Sequence, residues 1–344
     1  MKAHRGVLRR HGCGLAAALT LGVSGCGGGS HPSGAASTPI APTPPTPTNR
    51  WSVAGQVVAT GSPQGVAGAT LTPAWSLAAV TADADGKYEL ADRTNPPTSP
   101  FALTVSEPGF IAHDVWISWQ PGSRTNVTLD MIRDAPPFSM DFYRQFVRDM
   151  YDQSDGSPWP LQRWTTTPNF YVRTLDDASR AVEQNVVDAT IDALRRGVAA
   201  FTAGYFSAGS IETGTDVRPE AADWINVEFK RHDPDQPCGT AFVGRNPGTI
   251  TLWLDTCGCG SIRVSPSVAM HEIGHAMGFF HVSDPHSLMY PFDESGCRPG
   301  SLSPAEAFHA AIAYARPRLN ADPDHDPSSF KTLTRTKAGP LVVN

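Results

Sequence analysis

Apolar and polar positions change rhythm along the chain, and each change marks a boundary. Residues 27–50 carry almost no large apolar side chain; Gly and Ser lead, then Pro and Thr. That composition reads as a solvated tether, flexible first and stiffer towards its end. Residues 51–133 take up the period of a strand. Val53 to Val58, the turn at Gly65 entering Thr70-Leu71, Ala79-Val80-Thr81, the Asp83-to-Gly86 turn before Lys87-Tyr88, and runs at 101–105, 113–119 and 125–131 are all strand-like. Turn signals at about 8–12-residue spacing predict an all-β sandwich. In residues 134–160, Phe138, Phe142, Phe146 and Met150 recur at helical spacing. They predict one connecting amphipathic helix, about 139–152, ending at Asp155-Gly156. Its aromatic stripe is a packing face that would dock the sandwich on the downstream domain.

Residues 161–328 mix both periods. Asn169 to Val172 reads as a strand, 176–202 as a long helix, and 224–229 and 249–254 as further strands. Ser265 before Pro266 is an N-cap with Pro at the first helical position. Ser303 and Glu306 form a capping box, again with Pro at the first position, and start a closing helix that runs to about Arg316. Residues 329–344 are a tail.

Between these caps lies the stretch that carries chemistry. His271-Glu272-Ile273-Gly274-His275-Ala276-Met277-Gly278-Phe279-Phe280-His281 reads H-E-x-x-H-x-x-G-x-x-H. Residues four apart share a helix face, so His271 and His275 aim at one point. Glu272 sits about 100° further round, beside that point rather than on it. Gly278 can take φ > 0 and end the helix, which lets His281 swing back as a third ligand. Three neutral imidazoles suit Zn²⁺ and leave a position open for water, as hydrolysis requires. Glu272 is then the general base that takes a proton from water and hands it to the leaving amine.

The stretch resembles the metzincin zinc endopeptidases, whose extended motif is followed by a Met-turn. Ser287-Leu288-Met289-Tyr290-Pro291, with Met289 eight residues after His281, looks like that turn, and Met-Tyr-Pro is similar to the matrixin branch. The strong resemblance covers about residues 265–315. It implies an α+β domain with a mixed twisted sheet and long helices, Met289 as an apolar floor under the metal, and strand 249–254 as the sheet edge that pairs with an extended substrate. Val282 and Pro291 depart from several branches, and residues 27–237 hold no Cys of the kind that keeps many matrixins latent. Upstream, "GVAGATL", "TADADGKYEL" and "SEPGF" resemble the carboxypeptidase regulatory-like domain, a small transthyretin- or Ig-like sandwich.

Composition narrows the setting. The chain has 344 residues, 40% hydrophobic and 17% charged, enough for two packed domains. Lys2, Arg5, Arg9 and Arg10 precede an apolar run at 13–23, which together read as a signal peptide over 1–25. Val23-Ser24-Gly25-Cys26 resembles a bacterial lipobox, so Cys26 is the expected lipidation site. Loss of those four positive charges takes the formal net charge from −6 to −10. An acidic chain without basic runs argues against a nucleic-acid partner, and leaves acyl chains as the only membrane link. The expected place is the bacterial cell envelope, and the expected partner is a protein or peptide substrate.

Beyond Cys13 and Cys26, the cysteines are Cys238, Cys257, Cys259 and Cys297. Cys257 and Cys259 are poorly placed to join each other, which leaves Cys238 and Cys297 to take one each. Two aspartate groups carry a second reading as calcium ligands. Asp83 and Asp85 read first as turn residues, and Asp322, Asp324 and Asp326 as a solvated loop. The rival function, from another class, is a lipid-anchored binding or adhesion protein with a vestigial metal site. The intact Glu272 counts against it, because a structural metal site does not need that carboxylate.

Overall fold

In the computed structural model the described residues are 51–74, 78–92, 98–120, 122, 124–152, 156–231, 237–258, 263–292 and 300–328. Residues 1–50, with Cys26, fall outside them, as do Cys259, Cys297 and the tail from 329. All of the described residues belong to one unit, Pro47–Asn344. Within it two apolar cores form.

The first core lies between two sheets. One has the order β4-β1-β7, with β1 (Trp51–Ala59) antiparallel to β4 (Lys87–Asp92) and parallel to β7 (Arg124–Met131). The other is antiparallel, ordered β3-β2-β5-β6, from β2 (Thr70–Pro73), β3 (Val80–Thr81), β5 (Phe101–Ser106) and β6 (His113–Ile117). Alternation does what period two requires: Phe101, Leu103 and Val105 point inward with Val115 and Ile117. Trp51 packs on Phe101 and Trp119 at ring distances of 6.2 and 5.6 Å. Asp83 spends Oδ1 on the backbone N–H groups of Asp85 and Lys87, at 2.9 and 2.8 Å, and Asp85 pairs with Lys87. This is turn chemistry, the first of the two readings of that pair.

The second core is built on a five-stranded sheet, β11-β12-β10-β8-β9. Strands β8 (Asn169–Asp176), β9 (Ile211–Gly214), β10 (Trp224–Lys230) and β12 (Gly248–Trp253) run parallel, and β11 (Gly239–Ala241) is antiparallel at one edge. The edge assignment made from sequence is therefore corrected. Strand 249–254 lies inside the sheet, between β10 and β11, and the short β11 takes the rim. Helices α2 (Gln184–Phe201) and α3 (Pro266–Met277) pack closely; a Cβ at Gly197 would meet Ile273 Cγ2 at 2.8 Å. Helix α2 starts eight residues later than its periodicity suggests. Asp176, buried at the end of β8, accepts from the backbone of Ala178 and Arg180 and holds a turn there first.

Helix α1 (Met140–Arg148) stops at Asp149, which takes the left-handed conformation at φ 62°. Its aromatic stripe does not face the sandwich. Phe146 stacks on Phe279 at 4.3 Å, and Phe142 lies 4.9 Å from the His309 ring of α4 (Pro304–Ala315). The helix is part of the second core.

The two cores meet across a buried ionic network. Arg316, at the end of α4, donates from Nε and Nη2 to both oxygens of Asp324 at 2.6 Å, and from Nη1 to Asp130 of β7 at 2.6 Å. Asn320 donates to Asp324 and Asp326 at 2.9 and 3.0 Å, and His113 Nε2 stands 3.4 Å from Asp326. Asp322 turns away to Arg144 at 2.8 Å. The solvated-loop reading of Asp322, Asp324 and Asp326 is thereby corrected, because Asp324 is fully buried; Asp324 and Asp326 lie with His113 in a group that could hold a metal ion, while Arg316 already pairs with Asp324 and Arg144 with Asp322. Burial alone would raise the Asp324 carboxyl, but Arg316 and His113 outweigh it and hold it below its ordinary value.

Candidate metal centre

Helix α3 carries His271, Glu272 and His275. Ser265 has the extended backbone of an N-cap, yet its hydroxyl bonds Ser267 Oγ at 2.7 Å instead of capping the helix. At the other end Gly278 takes φ 110°, and a Cβ there would lie 1.6 Å from the Gln162 carbonyl oxygen. Conformation and space both demand glycine at this position. The chain then turns back through Phe279 and Phe280, and His281 joins the other two. His275 Nε2 lies 3.0 Å from His271 Nε2 and 3.1 Å from His281 Nε2.

The opposite nitrogens decide what those three atoms can do. His271 Nδ1 meets the Leu288 carbonyl at 2.8 Å, His275 Nδ1 the Phe279 carbonyl at 2.8 Å, and His281 Nδ1 the Asp152 carboxylate at 2.8 Å. Each acceptor requires a proton on Nδ1, so each neutral ring presents a lone pair from Nε2. Three lone pairs this close repel one another unless a cation shares them. Burial, then the neighbouring His271 and His281, push His275 well below the usual imidazole value, which keeps it in the neutral, ligating form. The donor set fits a metal ion: three nitrogens that could converge on one, each with its outer nitrogen fixed.

Glu272 is 5% exposed, and among the described residues its Oε2 has no hydrogen-bond partner. Burial pushes its carboxyl up to about 8. Strand β11 runs against it, and a Cβ at Gly239 would meet Glu272 Cγ at 2.6 Å. The triad and Glu272 line a cleft of about 840 Å³, together with Gly239, Thr240 and Ala241 of β11 and with Leu288, Tyr290, Pro291 and Phe292. That volume accommodates several residues of an extended chain. Cys238, at the foot of β11, is disulfide-bonded to Cys257, with Cα atoms 5.3 Å apart. This is one of the pairings left open by the cysteine spacing.

Met289 is fully buried, and Gly274 explains how it fits: a Cβ at 274 would meet Met289 Sδ at 2.5 Å and Phe201 Cζ at 2.6 Å. Glu306 serves the same turn. Its Oε2 accepts from Ser303 N at 2.7 Å in the expected capping box, while its Oε1 accepts from Met289 N at 2.8 Å. Sequence reasoning missed Gly274, Gly239, Asp152 and this second duty of Glu306. His286 is exposed, and buried His309 is spent on the backbone of Ala305 and Ser139. Neither lines the cleft.

Fold and site thus define a three-histidine centre, with a buried carboxylate beside it, in a cleft flanked by a sheet edge. A family model, Peptidase_M10 (Matrixin), matches residues 254–302, which hold the triad, Glu272 and Met289. The match supports a matrixin-like protease at the level of the family, and so a metallopeptidase with a peptide substrate; that family implies zinc and calcium in general. No curated protein matches the chain. Among solved structures it is similar to a C-terminal interface mutant of a type II cohesin–X–dockerin complex from Acetivibrio cellulolyticus, at 13% identity. That likeness covers 24% of this chain and 55% of the other, so the chain spans about half of the relative's length. Its TM-score of 0.19 carries no argument about fold or function.

Proposed function

We propose that the chain is a zinc-dependent endopeptidase acting on extracytoplasmic proteins. The observation that carries this is the convergence of three Nε2 atoms, each on a ring whose Nδ1 faces an acceptor, so that a neutral ring turns its lone pair inward. His271, His275 and His281 would hold the ion, which when bound supplies a Lewis acid for the scissile carbonyl and acidifies water. The rest of the chemistry belongs to the chain. Glu272, buried and with no hydrogen-bond partner for Oε2 among the described residues, acts in its ionised form: it takes a proton from the attacking water as the water oxygen bonds to the carbonyl carbon. It returns that proton to the amine nitrogen as the C–N bond breaks, leaving two shorter peptides. Strand β11, at the rim of the sheet, adds an extended substrate by main-chain hydrogen bonds. Leu288, Tyr290 and Phe292 offer apolar contact to its side chains.

The proposal extends to place and architecture. Cys26 is lipidated and residues 27–50 tether the folded part to a bacterial envelope membrane, a reading that rests on sequence. The sandwich, 51–133, is a carboxypeptidase regulatory-like module. The test is cleavage of casein by the purified protein, with and without a chelator, beside Glu272→Gln. Cleavage that needs the metal, and that E272Q loses while keeping one zinc per chain, supports the proposal. A folded, zinc-loaded wild type that cleaves neither casein nor any member of a denatured proteome would overturn it.

A further inference from the structure

The three imidazoles are not held alike. His271 and His275 sit on a helix and give Nδ1 to backbone carbonyls. His281 sits on a loop, its side chain 25% exposed, and gives Nδ1 to a carboxylate 129 residues upstream. That carboxylate, Asp152, follows the left-handed turn at Asp149, where the chain leaves α1. The turn is anchored: the backbone N–H groups of Asp149 and Met150 both return to the Arg144 carbonyl, and buried Arg148 donates to Asn320 Oδ1 at 2.6 Å. Helix α1 also grips the loop on either side of His281. Phe280 N donates to the Phe146 carbonyl at 2.8 Å, and Ser283 N donates to Gln145 Oε1 at 2.8 Å. A loop ligand lacks the helix that orients the other two, and a charged acceptor makes a stronger bond that can replace it.

We infer that Asp152 is a positioning residue of the metal centre. Its carboxylate turns the His281 ring so that Nε2 faces the shared point, and strengthens that nitrogen as a donor. The metal-binding unit then includes α1 and the turn after it, and does not begin at residue 161. This inference rests on the proposed function, because it assumes that the triad takes a metal ion.

The test uses the full chain and two probes, Zn²⁺ and Co²⁺. Zinc affinity is read by competition with a chromophoric chelator, and ligand geometry from the visible spectrum of the cobalt form. Asp152→Ala is expected to weaken zinc by about 10–100-fold and to change the cobalt spectrum. Asp152→Glu should restore part of both. Thermal unfolding of the metal-free protein should not move, since the Asp152 side chain is 47% exposed. In a His281→Ala background, D152A should add nothing further. Wild-type zinc affinity and an unchanged cobalt spectrum in D152A, with affinity lost in H281A, would reject the inference and leave the triad standing. An equal loss from D152A in the H281A background would also reject it, by placing the effect elsewhere. Unchanged affinity in both His271→Ala and H281A would instead remove the metal centre itself.

Discussion

Two polar clusters lie in the interior of this molecule, and they solve opposite problems. At the triad three imidazoles face one another, each with Nδ1 on an acceptor and Nε2 turned inward. At the junction of the two cores His113 does the same, with Nδ1 on the Asp130 carbonyl at 2.8 Å and Nε2 turned towards Asp324 and Asp326. Among the described residues the junction contains its own cation, the guanidinium of Arg316, whereas those lining the cleft of the triad include no Lys or Arg. A histidine with a fixed outer nitrogen is therefore not enough to mark a metal site; what matters is whether the chain already supplies the positive charge its inner face requires.

That contrast can be broken from either side. The largest effect is expected at the chemistry. Glu272→Gln keeps shape and removes the base, and should lower kcat by about 10²–10⁴-fold or more with zinc stoichiometry unchanged. Hydrolysis of a quenched peptide beside metal analysis decides it; a variant with near-normal kcat would assign the proton transfer to another group.

Next comes the junction. Arg316→Met leaves Asp130 and Asp324 buried without their partner, which costs about 3–5 kcal/mol of stability. Zinc affinity should hold at temperatures where the variant stays folded. Chemical denaturation measures the first and chelator competition the second. If R316M also released zinc, the two clusters would be one coupled unit. The pH dependence follows from Asp324. Its carboxyl is held below the ordinary value in the folded state, so its stabilising contribution is present above about pH 3.8–4 and fades as pH falls through the folded pKa. The stability gap between wild type and R316M should narrow on acidification. A gap that stayed constant from pH 7 to 3 would mean that Arg316 does not depress Asp324.

Smaller effects sharpen the triad alone. Gly274→Ala pushes a methyl group onto Met289 and Phe201, and overpacking of this kind costs about 1–3 kcal/mol. Gly239→Ala should disturb activity more than stability, because the methyl meets Glu272. Thermal melts and peptide hydrolysis on the same preparations separate the two. The smallest effect is Ser303→Ala, at about 0.5–2 kcal/mol for a lost cap. A change below that range would mean that Glu306 alone starts the helix.

How much of this was legible beforehand depends on how far each interaction reaches. The eleven residues from His271 to His281 specify the helix, its glycine end and the returning histidine, because all of these are local. The capping box of α4 was readable for the same reason. Strand β11 was not: three residues, Gly-Thr-Ala, carry no alternation, and their edge position depends on pairing with β12. The start of α2 was misplaced because a buried aspartate closed a turn inside a helical pattern. Phe138, Phe142 and Phe146 announced a buried face but not which core would take it. Asp152 gave no signal at all. It is an acidic residue in a polar stretch, and only the fold brings it to His281.

Glu306 ties the last helix to the floor of the metal centre. Both of its oxygens are committed, one to the helix start and one to the backbone of Met289. Any shift of register in that helix would therefore drag the methionine with it. For anyone exchanging parts between such proteins, the turn at Met289 and the helix start at Ser303 form a single cassette: a foreign helix grafted at 303 has to bring a carboxylate of the same reach, or bring its own floor.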